Sequence, residues 1–308
     1  MQTSPSLHNL AIRSRMMQAC REFFAMAGFV EVETPVRIPS PAPEMHIDAP
    51  PSARAWLRTS PELHMKRLLA AGASRIYQIG PCFREAERGT RHNPEFTMLE
   101  WYRASAGHLD ILRDCEALIR HIVRRVTGEG TVIHYAGQRI DVGAPWAKLT
   151  MREAFTRYAQ WDPIAAYDAN RFDRDLEERV EPALPADRPC VLLDYPAQAA
   201  ALARLKADDP SVAERWELFI GGMEIANAYG ELTDATIQRA RFTACNAARV
   251  KAGHAPYPLD APFLQALETG MPPCGGIALG MDRLAMLLCN ARAIDEVRSF
   301  CPPIGELY

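Results

Sequence analysis

The run 93–103 alternates in side-chain type at every second position: Phe96, Met98, Glu100 and Tyr102 fall on one face of an extended strand, and Thr97, Leu99 and Trp101 on the other. The second face is apolar and packs. The first mixes aromatic rings with a carboxylate and a phenol, which suits a ligand floor, although a half-solvated edge strand has the same look. Such a strand calls for antiparallel neighbours. The short extended runs 75–79 and 81–85 precede it across a polar loop over 86–92, which predicts a meander. Further on, the runs 216–220 and 223–229 flank Gly221-Gly222, the signal of a two-residue hairpin turn, and 275–280 reads as a glycine-containing strand feeding a helix at Asp282.

Helical signals surround these strands. Ile12, Met16, Cys20, Phe23 and Ala27 recur at helical spacing and Gly28 is a natural stop, so a first helix is expected over 7–27, followed by a strand over 29–34 that ends at Pro35. After a strand over 54–59, Ser60 reads as an N-cap with Pro61 in the first helical position, and that helix should end near Gly72. Leu112 to Val126 carries an amphipathic stripe, a hairpin turns at Gly137, and Thr150 with Glu153 forms a capping box. Helices mixed with antiparallel hairpins and few β-α-β alternations point to an α+β fold. The segment 160–188 is polar, helix-prone and chemically uninformative.

Composition excludes several classes. No apolar stretch approaches the ~18 residues of a membrane span. The net charge of −3 argues against holding nucleic acid by bulk electrostatics. Residues 1–18 lack the apolar core of a secretory signal, so a cytoplasmic location is expected. The eight cysteines never approach closer than 12 positions, which leaves no C-x-x-C pair and predicts reduced thiols. Gly276-Ile277-Ala278-Leu279-Gly280 matches neither a dinucleotide loop nor a P-loop, and neither H-E-x-x-H nor G-x-S-x-G occurs.

Two constellations remain. Phe83-Arg84-Glu85 should pair with the 93–103 strand and set a guanidinium, a planar fork for phosphate, beside the carboxylate of Glu100. Across the Gly221-Gly222 turn Phe219 faces Glu224, and Glu217 lies diagonal to Glu224 at ~7–8 Å, where two carboxylates can share Mg²⁺ or simply be solvated acids.

Taken together, the strings Leu57-Arg58-Thr59-Ser60-Pro61-Glu62-Leu63, Phe83-Arg84-Glu85, Arg91-His92-Asn93-Pro94-Glu95-Phe96, Glu217-Leu218-Phe219, Glu224-Ile225-Ala226-Asn227 and Gly280-Met281-Asp282-Arg283-Leu284 resemble, in order, the class II aminoacyl-tRNA synthetases, and among them the lysyl enzymes. The resemblance spans nearly the whole of 1–308 as one catalytic domain, an antiparallel β-sheet flanked by helices. The stretch that resembles the first family motif begins within about ten residues of Met1, so no anticodon-binding domain is expected, and this layout resembles that of the elongation factor P (R)-β-lysine ligases. Ala278, where the lysyl enzymes have glycine, agrees with that family. The resemblance implies ATP-dependent activation of (R)-β-lysine, less well of α-lysine, and amide transfer to a lysine of elongation factor P, with ATP as substrate, Mg²⁺ as cofactor, a homodimer, and tRNA an improbable acceptor. It assigns Arg84 and Arg283 to catalysis; Arg84, Glu85, Arg91, His92, Phe96 and Arg283 to ATP; Ser60, Glu62, Glu100, Tyr102, Asn227, Glu231 and Ala278 to the amino acid; and Glu217 and Glu224 to the metal. For Asn227 and Glu224 to serve one site, the strand needs a bulge near Ala226. The alternatives are a lysyl-type enzyme acylating tRNA or another small acceptor, an asparagine synthetase, which the acids disfavour, and a non-catalytic regulatory module.

Overall fold

The structure, a computed structural model, describes residues 6–85, 87–128 and 130–301. In chain order it comprises α1 (Leu7–Met26), β1 (Val30–Glu31), β2 (Arg37–Ile38), β3 (Pro51–Ser52), β4 (Ala55–Leu57), α2 (Glu62–Ala70), β5 (Arg75–Phe83) and β6 (Glu95–Ala104). Then come α3 (His108–Thr127), β7 (Val132–Tyr135), β8 (Gln138–Asp141), β9 (Ala147–Thr150), α4 (Met151–Tyr158), α5 (Ala169–Asp175), β10 (Cys190–Pro196) and β11 (Val212–Ile220). The chain continues through β12 (Met223–Gly230), α6 (Ala235–Lys251), α7 (Ala261–Gly270), β13 (Cys274–Gly280) and α8 (Met281–Cys289).

Eight strands form one sheet in the order β1-β5-β6-β13-β12-β11-β10-β9. Every pairing from β5 to β10 is antiparallel, and only the edge strands β1 and β9 join in parallel. The α+β expectation therefore holds, with parallel edges added. One face is covered by α1, α3 and α8, whose Met16, Phe24, Ile119, Val123 and Leu287 pack on Leu99, Trp101, Leu218 and Leu279. The other face is covered in two patches. Helices α2, α6 and α7 meet the sheet around Ile76, Tyr102 and Cys274, and α4 and α5 meet it around Cys190, Leu192 and Phe219. Between those patches the floor of the sheet stays open, and the site lies there.

Several boundaries move for local reasons. The strand expected over 29–34 shrinks to β1, because Thr34 N–H bonds the side chain of Gln78 at 3.0 Å instead of continuing the ladder. The two runs over 75–85 merge into β5, which passes through Pro81 at a stretch where only β6 flanks it, so the missing N–H costs no ladder bond. Ser60 does accept the Glu62 N–H at 2.9 Å, but Pro61 is the residue at the N-cap. Helix α1 ends one residue earlier than expected, and the Thr150–Glu153 capping box opens α4 as read. The segment 160–188 holds α5, then a π-helical turn over Leu176–Val180 and a 3₁₀ turn over Glu181–Ala183. None of the eight cysteines, all among the described residues, is joined in a disulfide.

Candidate active site

Antiparallel register places the candidate residues in cross-strand rungs. One rung runs Gln78–Glu100–Ala278–Asn227–Glu217 across five strands, and the next runs Ile76–Tyr102–Gly276–Tyr229–Arg215. Because neighbouring strands stand ~4.8 Å apart, each rung presents a row of side chains to one face. The β11–β12 turn uses Gly221 and Gly222 at φ 59° and 71°, values that favour glycine and that a tight hairpin requires. Leu218 pairs with Ala226 while Phe219 pairs with Glu224, so Ile225 is the extra residue of a β-bulge. That bulge is the device the motif needed: Glu224 and Asn227 line the same cavity, of about 820 Å³.

At one end the cavity is acidic. Ser60 Oγ donates to Glu100 Oε1 at 2.6 Å and Tyr102 Oη donates to Glu100 Oε2 at 2.9 Å. Burial, reinforced by Glu62, pushes the Glu100 carboxyl up to about 8. Glu62 and Glu231 also line this end, and behind them the ammonium of Lys66 bridges both, with Nζ 2.5 Å from Glu231. Burial lifts the Glu231 carboxyl, and Lys66 acts against that lift. Ala278 sits on the floor between Glu100 and Asn227.

The other end is cationic. The Arg84 guanidinium lies 5.1 Å from the centre of the Phe96 ring and 3.5 Å from Glu87, and its Nε is buried without a hydrogen-bond partner. The expectation that Arg84 stands beside Glu100 is corrected: Phe83 pairs with Glu95 and Gln78 with Glu100, so Arg84 projects beyond the strand end. Arg283, in the first turn of α8, donates to the Glu224 backbone at 2.9 Å and to its carboxylate at 3.1 Å. Its Nη2 is 2.6 Å from His92 Nε2. A guanidinium only donates, so that nitrogen is the acceptor and the proton resides on Nδ1. Desolvation, with Arg283 alongside, lowers the His92 pKa and keeps the ring neutral. Arg91 lines the cavity and bonds the Gly222 carbonyl at 3.0 Å.

Two candidates lie outside the cavity lining. Glu85 is exposed beyond the end of β5, its N–H bonded to the Asp48 carbonyl at 2.8 Å. Glu217 is buried and bonded to Arg215 at 2.7 Å. Burial, with Glu224 adding to it, raises the Glu217 pKa. Among the described residues no three His, Cys, Asp or Glu side chains converge as a metal cluster. Glu224 contributes to the rise of the Glu217 pKa, so the two carboxylates lie near each other, and carboxylate oxygens are the donor type that Mg²⁺ takes together with phosphates and water.

The structure adds residues that sequence reasoning passed over. Lys66 was signalled by its i,i+4 spacing from Glu62. Arg215 stacks its guanidinium 4.3 Å from the Tyr195 ring centre, a contact between separate strands that no local pattern shows. Gln238 on α6 is fully buried, faces the cavity and has neither amide atom hydrogen-bonded. Glu44, from the proline-rich stretch, also lines the cavity, and burial pushes it up to about 7.

The comparisons with known proteins agree with this geometry. The chain is 36% identical to an elongation factor P–(R)-beta-lysine ligase of Proteus mirabilis and 39% identical to that of Mannheimia succiniciproducens, in both cases over 97% of this chain and 96% of the relative. It is 37% identical to a lysine–tRNA ligase of Moorella thermoacetica, over 94% of this chain but 64% of that enzyme. A family profile described as tRNA synthetases class II (D, K and N) matches residues 1–302. A sheet floor with acids at one end, arginines at the other, and a full-length profile match give one conclusion: the chain belongs to the class II tRNA synthetase family of D, K and N type.

Proposed function

We propose that this protein activates a diamino acid, (R)-β-lysine in preference to α-lysine, with ATP and transfers it in amide linkage to a lysine side chain of elongation factor P. The observation that carries the reading is the joining of Glu62, Glu100 and Glu231 to Arg84, Phe96 and Arg283 in one cavity. The first step joins a carboxylate oxygen of the amino acid to the α-phosphorus and expels pyrophosphate. In the second the acceptor amine attacks the acyl carbon and AMP leaves. Bringing two anions together requires cationic clamps. Arg84 takes the α-phosphate in this reading, Phe96 stacks on adenine, and Arg91, His92 and Arg283 take the outer phosphates. Mg²⁺ held by Glu217 and Glu224 would neutralise phosphate charge. Ser60, Tyr102 and Asn227 orient the acids and the substrate amines.

Support for the protein acceptor comes from the relatives: those named as elongation factor P ligases match this chain along 96% of their own length, and the lysine–tRNA ligase named above along 64%. The Ala278 methyl on the floor between Glu100 and Asn227 is positioned to bear on amino-group placement. A homodimer is part of the proposal, with the exposed Met26, at the end of α1, and Val30, in the edge strand β1, as apolar contact surface. We place the reaction in the cytoplasm; no described helix is long and apolar enough to cross a membrane.

The test is intact-mass spectrometry of elongation factor P after incubation with this protein, ATP, Mg²⁺ and either lysine isomer, with bulk tRNA acylation in parallel. A one-lysyl mass gain, greater with the β-isomer and lost in Arg84→Ala, is expected. Charged tRNA with unmodified elongation factor P would replace the proposal by a tRNA-acylating enzyme.

A further inference from the structure

Lys66 is a buried cation that no step of the proposed reaction uses. It comes from α2, one turn after Glu62, and its side chain is fully shielded from solvent. It does not line the cavity, whereas both carboxylates it holds do. The groups facing this cluster come from several elements: Glu62 on α2, Glu100 and Tyr102 on β6, Tyr229 on β12 and Glu231 after it, Cys274 on β13, Glu44 from the proline-rich stretch, whose own upward shift Glu62 reinforces, and Arg204, which is itself paired with Glu214 at 2.8 Å. Burial pushes the Cys274 thiol up to about 12, so it stays neutral. Burial alone would pull the Lys66 ammonium down; the two carboxylates outweigh it and keep the charge in place.

We propose that Lys66 is a positioning residue that sets the charge of the amino-acid subsite, compensating one of the three carboxylates of Glu62, Glu100 and Glu231 so that a substrate with two ammonium groups completes the balance. With Glu100 ionised in the bound complex, three acids less one ammonium leave two negative charges, the number that a diamino acid's two amines neutralise. An amino acid with one amine leaves a buried charge uncompensated, which is costly, so the subsite selects against it. Lys66 also does what a proton would otherwise do. Without it, Glu62 and Glu231 face each other in a buried site and one of them takes up a proton, so the subsite charge would vary with pH. With it, Glu62 and Glu231 share one buried cation and both are aimed, and Glu100 is left as the acid of the subsite that titrates.

The inference rests on the proposed diamino-acid activation, and the experiment separates the two. Pyrophosphate exchange dependent on (R)-β-lysine or lysine is measured from pH 6 to pH 9 for wild type, Lys66→Met, and Lys66→Ala with and without n-propylammonium, alongside thermal unfolding. Lys66→Met keeps the volume and removes the charge. Its KM for the amino acid should rise roughly tenfold or more while its KM for ATP stays within about twofold. The rising limb of kcat/KM for the amino acid should move upward by about one pH unit. n-Propylammonium, and not n-propanol, should restore activity to Lys66→Ala. A folded Lys66→Met with the wild-type amino-acid KM and pH profile overturns the inference, as does equal rescue of Lys66→Ala by n-propanol, which would make Lys66 a space-filler. If Lys66→Met does not fold, the Lys66→Ala rescue decides alone. Wild-type protein that catalyses no diamino-acid-dependent exchange would bring down the proposed function, and the inference with it.

Discussion

Replacing Gly276 by alanine tests whether the second rung is the wall of the amino-acid subsite. Gly276 on β13 lies between Tyr102 on β6 and Tyr229 on β12. A methyl added there would sit 2.3 Å from Glu231 Oε1 and 2.3 Å from Tyr102 Cε1, whereas ordinary contact is 3.4–4 Å. Both neighbours would have to withdraw by about an ångström or more. Neither has room: Tyr102 is 3% exposed and tied through its hydroxyl to Glu100, and Glu231 is 1% exposed and paired with Lys66. Overpacking of this kind costs ~1–3 kcal/mol of stability. A ~1 Å misplacement of substrate-positioning groups costs ~100-fold in rate, about 2.7 kcal/mol of transition-state stabilisation. Pyrophosphate exchange on Gly276→Ala should therefore show kcat/KM for lysine reduced on the order of 100-fold, with the KM for ATP nearly unchanged because Arg84 and Phe96 lie at the far end of the cavity. A folded variant that binds lysine as wild type does would refute the assignment of Tyr102 and Glu231 to the subsite.

Three other outcomes are expected. Glu100, pushed up to about 8, is mostly protonated at pH 7 in the empty site, and a dicationic substrate favours the carboxylate; binding should release close to one proton at pH 7, and affinity should strengthen from pH 7 to 8 by up to about tenfold, then level off. Calorimetry in two buffers of different ionisation enthalpy measures this, and a buffer-independent heat would contradict it. Arg84→Ala should lower kcat/KM for ATP by roughly 100- to 1,000-fold without shifting the melting temperature much, while Phe96→Ala should raise the KM for ATP and leave that for lysine alone. Thr150→Ala, which removes the capping box on α4 far from the cavity, should cost ~1 kcal/mol in denaturant unfolding and nothing in activity.

How much of this was legible beforehand depends on the range of the interaction. The faces of β6 followed from period two alone, and the structure puts Leu99 and Trp101 in the core with Glu100 and Tyr102 over the cavity. The α1 stripe, the Gly221-Gly222 turn and the α4 cap are equally local and were found. The position of Arg84 was misread because the register of β5 on β6 depends on where the connecting loop closes, and no residue in 86–92 announces it. Glu217 was read as a metal ligand or a solvated acid, without its partner Arg215, a same-strand i,i+2 neighbour whose guanidinium is steered by Tyr195 and Tyr229, one on each flanking strand. Strand β4 was read within 54–59, but its two-residue partners β2 and β3 and helix α7 went unrecognised, since β2 and β3 are defined by pairing with β4 and α7 by packing on the distant α2. The bulge at Ile225 stood between these cases: two residues of one motif on opposite faces required it, although nothing in Glu224-Ile225-Ala226-Asn227 itself encodes it.

The β6 strand also limits the substrate's length. Phe96, under the arginine end, and Glu100, at the acid end, are four residues apart on one face, or ~13 Å at strand rise. An extended six-carbon diamino acid spans ~7–8 Å from terminal amine to carboxylate. In the proposed reaction, a substrate anchored by its amines on Glu100 and Glu231 would present its carboxylate short of Phe96, where an α-phosphate held by Arg84 would lie with adenine stacked on that ring. A shorter diamino acid would satisfy the same acids and leave the carboxylate out of reach. On the proposed function, the separation of the two charged ends along one strand would select for length as the acids would for charge, and shortening the substrate by one methylene should lower kcat more than it raises KM.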